Sequence, residues 1–430
     1  VNATTEQVYQ EFSGGQPDPT ALRDYVKMFY DRAGADLTKR PRYLLLFGSA
    51  SYDYRNRVPG NSNLVPGYES VNSLDPLLTH TSDDFFGMLK DGDDINLNDP
   101  KTTLALGIGR IPARTVAEAR IMVNMIIRYH AAASMGVWRN QTVFVADDKD
   151  QNLHLEDAEA IAATAAVSNP LQNQGKIYLD AFPMVSSSSG ARYPAVNDAI
   201  VSQVFNGALI VNYSGHGSYQ RLADEAVLTQ EELNRFTNPD KLPLFITASC
   251  DFAPHDDPSK NSLGMGILTG SENGAIALLT TTRLVFAYSN RQMNENYLRI
   301  ALKPLSDGQY LSLGESVQQA KNYTSLTTGD LLNNRKFTLL GDPAMRLAFP
   351  EGRVRLTTMN GVPISGADTL RALQQYTFTG EVTDGQGNLL PGFNGRVLPT
   401  VYDKEQTVKT RGNDPGSKVT SYNQQTNILY

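Results

Sequence analysis

The chain has 430 residues, of which 40% are hydrophobic and 19% are charged, and its formal net charge is -7. This length allows a large buried core and predicts two or three domains. Lys and Arg are outnumbered by Asp and Glu, which argues against nucleic acid as a partner. No apolar run reaches the roughly 18 residues that a membrane helix needs, so the sequence predicts no membrane-spanning helix.

Cysteine occurs once, at Cys250, and the sequence begins with Val1 rather than Met. A single cysteine cannot form an internal disulfide, and sparse cysteine favours an exported protein, in which a free thiol is a liability unless it has a function. We therefore expect an exported chain that is either a fragment or a processed form, so that any signal peptide has been lost. The alternative for Cys250 is an inert buried thiol.

Apolar runs rich in β-branched and aromatic residues alternate with helical patterns over the first 350 residues. Runs of this kind, without strict alternation, are typical of a parallel sheet that is covered on both faces. The sequence predicts an α/β fold with a largely parallel sheet and helical crossovers. The predicted strands lie within residues 42–49, 103–111, 142–147, 208–215, 242–249 and 275–282, and the predicted helices within 115–134, 155–167, 193–206, 228–236 and 312–323.

The composition changes after Pro350. Helical periodicity stops, and short alternating strands follow, with Asn-Gly, Asp-Gly and Gly-Asn turns. This pattern predicts an immunoglobulin-like β-sandwich module that is cut off before completion. We expect three units: an N-terminal α/β subdomain over 1–141, a catalytic subdomain over 142–350 and the truncated β module over 351–430.

Two chemically active side chains follow two successive predicted strands. His216 follows the run "ALIVNYSG", and Cys250 follows "LPLFITAS", with one helical pattern between them. Ligands and chemistry collect beyond the carboxyl ends of parallel strands, so we expect the two side chains to face each other there. An imidazole can take the proton of a thiol nucleophile or stabilise the thiolate.

The glycine after the histidine has a predicted role of its own. Gly217 leaves room for a backbone N–H to reach a carbonyl oxygen that becomes an oxyanion, and the N–H of Cys250 would be the second donor. The alternative is that "SGHGS" is only a loop with a solvated histidine. Its pairing with the unique cysteine favours the catalytic interpretation.

The motifs "VNYSGHGS", "FITASCDF" and "GDPAMRL" resemble those of the gingipain-type cysteine peptidases of family C25, over most of residues 42–349. The resemblance implies a caspase-like domain in which Cys250 and His216 are the catalytic dyad and Gly217 an oxyanion donor. It also implies an acidic residue that orients the histidine, for which "TVFVADDKD" offers Asp147 first and Asp148 second. This chain has Asp where the compared gingipains have Glu.

Within that family the chain is similar to sortases of the type IX secretion system. The resemblance implies an enzyme at the cell-surface side of the bacterial outer membrane, bound peripherally through an outer-membrane anchoring protein. It would cleave C-terminal sorting domains from secreted cargo proteins and transfer the new carboxyl end to an amine of anionic lipopolysaccharide. The alternatives are a cysteine endopeptidase that releases a free acid, and a non-catalytic assembly protein.

Acidic residues elsewhere allow further interpretations. The resemblance implies an acidic residue that selects a basic P1 side chain, and Glu156 and Asp157 lie near that place, although acids also favour helix starts. No cofactor is predicted to be required, but the family implies a possible structural calcium. The stretch 91–99, "DGDDINLND", lacks the Gly and Glu of an EF-hand loop, and turn formation explains it equally well.

Overall fold

The computed structural model describes residues 1–188, 190–328, 330–350, 352–365, 370–371 and 373–425. The helices are α1 (Thr5–Phe12), α2 (Pro19–Ala33), α3 (Val116–Tyr129), α4 (Leu153–Ser168), α5 (Pro194–Asn206), α6 (Gln230–Asn234), α7 (Leu263–Thr269), α8 (Ala287–Ala301), α9 (Leu313–Thr328) and α10 (Leu331–Lys336). The strands are β1 (Tyr43–Phe47), β2 (Gly107–Ile111), β3 (Gln141–Ala146), β4 (Asn173–Tyr178), β5 (Val185–Ser187), β6 (Gly190–Arg192), β7 (Ile210–Ser214), β8 (Gly217–Ser218), β9 (Arg221–Leu222), β10 (Leu244–Ala248), β11 (Ala277–Thr281), β12 (Phe337–Leu340), β13 (Arg353–Met359), β14 (Val362–Pro363), β15 (Phe378–Thr383), β16 (Gln406–Lys409) and β17 (Ser421–Gln424).

Helix boundaries follow local sequence signals. Helix α3 begins after Thr115, whose side chain accepts a hydrogen bond from the backbone N–H of Glu118. Helix α2 begins after the capping residue Asp18 with Pro19 in its first turn, where the missing N–H of proline costs nothing. Helix α5 ends at Gly207, whose φ of 95° suits glycine. These local signals mark the starts of α2 and α3 and the end of α5.

Eight strands form one sheet in the order β1-β2-β12-β11-β10-β7-β3-β4. Every neighbouring pair is parallel except β11 and β12, which are antiparallel. Strands β1, β2 and β12 therefore run opposite to the other five. The prediction of a largely parallel α/β sheet is confirmed, although "KFTLLG" before the closing motif forms β12, a strand that was not predicted from the sequence.

Helices cover both faces of this sheet. Helices α4, α8 and α9 pack together on one side, and α3, α7, α6 and α5 form the contacts on the other. Central strand residues such as Phe144 and Phe245 are almost fully buried between the layers. Burying a side chain of this size contributes roughly 2–3 kcal/mol, so the central strands contribute strongly to the stability of the fold.

The chain after residue 351 contains small antiparallel sheets, as predicted. One contains β14, β13 and β15, and the other contains β16 and β17. Asn360 and Gly361 both have positive φ and join β13 to β14, which is the conformation that an Asn-Gly hairpin favours. The β16–β17 hairpin packs on the outer strand of the large sheet, where Tyr422 lies against Tyr178 with ring centroids 4.6 Å apart.

The proposed boundaries at residues 141 and 350 stay predictions. Strands β1 and β2 lie in the same sheet as the strands after residue 141, through the pairing of Arg110 with Leu340. In the described ranges, no helix has both the length and the apolar character needed to cross a membrane.

Candidate active site

The register of two central strands brings His216 and Cys250 to the same edge of the sheet. Strands β7 and β10 are parallel neighbours, and Ser214 pairs with Ala248 at their carboxyl ends. His216 and Cys250 each lie two residues beyond this pair. The structure thus places them beyond adjacent strand ends, as the sequence predicted.

The loops after these strands are in contact. A Cβ added to Gly217 would lie 2.8 Å from Ser249 Oγ, which leaves no space for a side chain. The thiol of Cys250 lies 3.6 Å from the carbonyl oxygen of Val285, to which it donates. Within the described part of the chain, the Cys250 N–H makes no backbone hydrogen bond, so it is available to a substrate carbonyl.

Three contacts hold the main chain of His216. Its N–H donates to Asp147 Oδ2 at 2.9 Å. Its carbonyl accepts from the Tyr213 hydroxyl at 2.6 Å and from the N–H of Ala223 at 2.9 Å. Gly215 packs so closely on Asp147 that an added Cβ would lie 2.4 Å from the Cβ of the aspartate. The backbone of His216 is therefore held by contacts that do not involve its imidazole.

The imidazole of His216 meets a different carboxylate. Its Nε2 lies 2.8 Å from Asp150 Oδ2. A carboxylate only accepts, so this contact places the hydrogen on Nε2 and leaves Nδ1 as the basic nitrogen. The catalytic role of Asp147 stays a prediction, but the predicted contact with the imidazole belongs to Asp150 in this structure.

Asp150 lies in a strained segment. Asp150, Gln151 and Asn152 have φ of 58°, 59° and 72°, and consecutive non-glycine residues in this region are uncommon. These three left-handed residues form a sharp turn between β3 and α4. The turn brings the Asp150 carboxylate into contact with His216. The family resemblance points to the acid at the end of β3, which is Asp147. The acidic run after β3 was the available signal for Asp150, but no glycine in it indicates the left-handed turn.

A second histidine, His154, lies beside Asp150 and His216. His154, in the first turn of α4, is 5% exposed, and burial lowers its pKa to about 4. Its Nε2 lies 3.3 Å from Asp150 Oδ2, outside hydrogen-bond geometry, and has no hydrogen-bond partner among the described residues. Its ring stands edge-on to that of His216, with centroids 5.1 Å apart. This role was not predicted from the sequence, because a histidine at a helix start has no distinctive pattern.

Three buried carboxylates form a cluster, and one of them accepts the hydrogen bond from the N–H of His216. Asp147, Asp148 and Glu225 each offer an oxygen within 4.8 Å of the others. Burial, the largest effect, raises all three pKa values, that of Asp147 to about 7. Among described atoms, Asp148 Oδ1 and Glu225 Oε2 have no hydrogen-bond partner. An all-oxygen donor set with free buried oxygens fits calcium.

The other calcium candidate, the stretch 91–99, forms turns. Asp94 accepts from the N–H of Asn96 and Asp99 from that of Lys101, while the exposed Asp91 pairs with Lys27 at 2.8 Å. These are turn contacts of the kind that the alternative interpretation expects, and calcium binding by this stretch stays a prediction.

The acids suggested for a P1 pocket lie in α4 with different surroundings. Glu156 is exposed, whereas Asp157 is buried and lies 3.5 Å from the guanidinium of Arg291. Burial is the main cause that raises the pKa of Asp157 to about 6. Of the two, Glu156 is the acid open to solvent, and the pocket itself stays a prediction.

A loop from the C-terminal hairpin reaches the active-site segment. We call residues 411–418 the tail loop. The N–H of Lys418 donates to Asn152 Oδ1 at 2.6 Å, and the Ser417 hydroxyl donates to the carbonyl of Asp148 at 2.7 Å. Asp180 anchors the loop by accepting from Gly412 and Asn413 N–H groups at 3.0 and 2.7 Å. The tail loop therefore braces the segment that carries Asp150.

Two solved structures of the gingipain RgpB support this fold. The chain is similar to gingipain R (RgpB), an Arg-specific cysteine proteinase, with a TM-score of 0.61, 14% identity, and coverage of 97% of this chain and 90% of that one. The complex of the pro- and mature domains of RgpB from Porphyromonas gingivalis gives a TM-score of 0.58 and 16% identity, over 81% of this chain and 74% of that one. Dimeric latent PorU from Porphyromonas gingivalis is 24% identical, with a TM-score of 0.47, over 97% of this chain and 34% of that one.

No curated protein matches the chain in sequence. The model of peptidase family C25 matches residues 1–348, which confirms the predicted gingipain-type relationship. The dyad candidates His216 and Cys250 both lie inside this match. The chain belongs to peptidase family C25, a family of cysteine peptidases.

Proposed function

We propose that the chain is a cysteine transpeptidase that uses Cys250 and His216 to exchange one amide bond for another. The observation that carries this proposal is the matched position of the two residues beyond paired strand ends, with Gly217 against Ser249. This arrangement supports an attacking thiol, a neighbouring base and two nearby N–H groups.

The reaction follows from the side chains. His216 Nδ1 accepts the thiol proton while Cys250 Sγ attacks the carbonyl carbon of the cargo peptide bond. The resulting oxyanion is stabilised by the N–H groups of Gly217 and Cys250. Collapse breaks the C–N bond, the imidazolium protonates the departing amine, and a thioester remains on Cys250.

The second half of the reaction decides between transfer and hydrolysis. An acceptor amine attacks the thioester carbon, loses a proton to His216 and releases the thiolate, which regains a proton. Water gives the free acid by the same route, so transfer requires a site that positions the amine. We propose secreted cargo with C-terminal sorting domains as donors, anionic lipopolysaccharide as acceptor, and an outer-membrane anchoring protein at the cell surface as partner.

A bound calcium ion would stabilise the loop that carries His216. Asp147, Asp148 and Glu225 would hold the ion, which would neutralise their buried charge and stiffen the loop that carries His216. We propose this role as structural, with no part in bond breaking.

Mass spectrometry tests the proposed reaction. Purified protein receives a cargo fragment that carries its sorting domain, with and without a soluble primary amine. We expect cleavage that depends on Cys250, and a new C-terminus joined to the amine. Cleavage that gives only free acid at saturating amine would leave an endopeptidase, and full cargo processing by Cys250→Ala would indicate a non-catalytic protein.

A further inference from the structure

We propose that Asp150, His154 and His216 form a zinc site that reversibly inactivates the enzyme by occupying the imidazole of its general base. The nearest ligand atoms of these three residues all lie within 4.8 Å of one another. The inhibitory effect rests on the proposed function, whereas the binding site rests only on the geometry.

The spacing suits a tetrahedral ion. Asp150 Oδ2 lies 2.8 Å from His216 Nε2 and 3.3 Å from His154 Nε2. Zinc bonds to nitrogen and oxygen of about 2.0–2.2 Å place neighbouring tetrahedral ligands about 3.3 Å apart. Only small side-chain movements would admit an ion between the three atoms.

The buried histidine points to a ligand. His154 Nε2 is buried and, in the described structure, lacks a hydrogen-bond partner, which is costly for a polar atom. A metal ion would satisfy this atom.

The ligand types select the metal. Two imidazoles and one carboxylate favour zinc over calcium or magnesium, which prefer oxygen ligands. The side chains of His216 and Asp150 are 46% and 50% exposed, so an ion can enter from solvent and a water can take the fourth position. The three protein ligands match the number that open zinc sites use.

The inhibitory effect follows from the chemistry of imidazole. A neutral imidazole carries one hydrogen, and zinc at Nε2 moves that hydrogen to Nδ1. Nδ1 then cannot accept the thiol proton of Cys250. Removal of zinc restores the hydrogen bond from Nε2 to Asp150 and returns the base.

Zinc binding is measured first on the full chain by competition with a chromophoric chelator. We expect one zinc per chain, and amide cleavage that is lost in parallel with binding and restored by added chelator. His154→Ala should weaken zinc binding at least about tenfold, since loss of even an outer partner of a metal ligand commonly costs that much. His154→Gln is a second variant in case the cavity left by alanine disturbs folding.

Two controls separate this site from other zinc sites. His130→Ala removes an exposed histidine at the end of α3 and should leave zinc affinity unchanged. Cys250→Ala should still bind zinc, and its cobalt complex should have the same spectrum as that of the wild type, without a thiolate charge-transfer band.

Three results would overturn the proposal: unchanged zinc affinity in both His154 variants, loss of binding in Cys250→Ala, or preference for calcium at the histidine site. If no peptide is cleaved but zinc binding depends on His154, the zinc site stands and the proposed reaction fails. The binding measurement thus distinguishes the two failures.

Discussion

His216 Nε2 lies 2.8 Å from the carboxylate of Asp150, although Asp147 is the acid that directly follows strand β3. The two aspartates divide the support of the histidine. Asp150 orients the ring, and Asp147 holds the backbone N–H of the same residue at 2.9 Å. This division makes the effects of replacing each carboxylate separable.

Asp150→Asn should lower kcat at least about tenfold at neutral pH. The neutral amide neither stabilises the imidazolium that forms during the reaction nor enforces the hydrogen on Nε2, and correct protonation of a general base is commonly worth about a hundredfold or more. Single-turnover cleavage of a peptide measures the effect. Asp147→Asn is the matched control, and an equal loss in both variants would contradict the division of roles.

Asp147→Asn should preserve the hydrogen bond to the N–H of His216. It should also remove the free-energy cost of ionising a buried carboxyl group. Burial raises the pKa of Asp147 to about 7, above its ordinary value of 3.8. The stability contributed by the protonated form is present below about pH 4 and is lost as pH rises through about 7. As pH rises from about 5 to about 8, the asparagine variant should therefore become more stable relative to the wild type.

Urea unfolding at these two pH values measures that difference for the Asp147 variant. Asp384→Asn replaces a half-buried turn aspartate of the β module and serves as the control. A stability difference that is the same at both pH values would mean that the buried carboxyl is compensated, for example by bound calcium. Repeating the titration with a calcium chelator separates these cases.

The sequence predicted the dyad because strand ends are local signals. The apolar runs before His216 and Cys250 marked β7 and β10, and the carboxyl ends of parallel neighbouring strands bring both residues to one edge of the sheet. Asp150 and His154 could not be predicted in the same way. Their approach to His216 depends on three left-handed residues, and no glycine indicates that turn.

The tail loop was unpredictable for a related reason. Its contacts with Asp148 and Asn152 join segments that are 269 and 266 residues apart in the chain. Turn residues such as Gly412 and Pro415 indicated only that a loop exists. Strand β12 was also missed, because its four residues follow directly on helix α10 without a break in the sequence.

Gly217→Ala should reduce kcat with little effect on overall stability. The added methyl group would meet Ser249 Oγ at 2.8 Å and Ser249 Cβ at 3.2 Å, so Ser249 or the loop that carries Gly217 must shift. A displaced oxyanion donor commonly costs about a hundredfold in rate. Gly392→Ala, in a turn of the β module where nothing lies within 4 Å of an added Cβ, is the control for an alanine at a glycine. Unchanged kcat in Gly217→Ala would contradict the expectation that the methyl group displaces this N–H from the oxyanion site.

Asp180→Ala should loosen the tail loop and lower kcat by about tenfold, because small misplacements of a catalytic group are costly. The change removes two charge-assisted hydrogen bonds to backbone N–H groups. Hydrogen exchange should increase in residues 148–152. Asp384→Ala also removes two bonds to backbone N–H groups, but within its own turn, and should leave both readouts unchanged.

His255→Leu should reduce the acid sensitivity of the fold. His255 is buried, burial lowers its pKa to about 4, and neither ring nitrogen has a hydrogen-bond partner in the described ranges. Because the folded pKa lies below the ordinary value of 6.5, stability is lost as pH falls from about 6.5 toward 4. A shift of this size corresponds to about 3 kcal/mol at most.

Urea unfolding at about pH 7 and about pH 5, on either side of the ordinary histidine pKa, measures this effect. The leucine variant should gain stability relative to wild type at the lower pH, because the unfolded chain of the wild type binds a proton there that the folded chain does not. His130→Leu, at an exposed site, should show no such gain. An equal acid response of wild type and His255→Leu would mean that the buried imidazole takes up its proton without cost in the folded state.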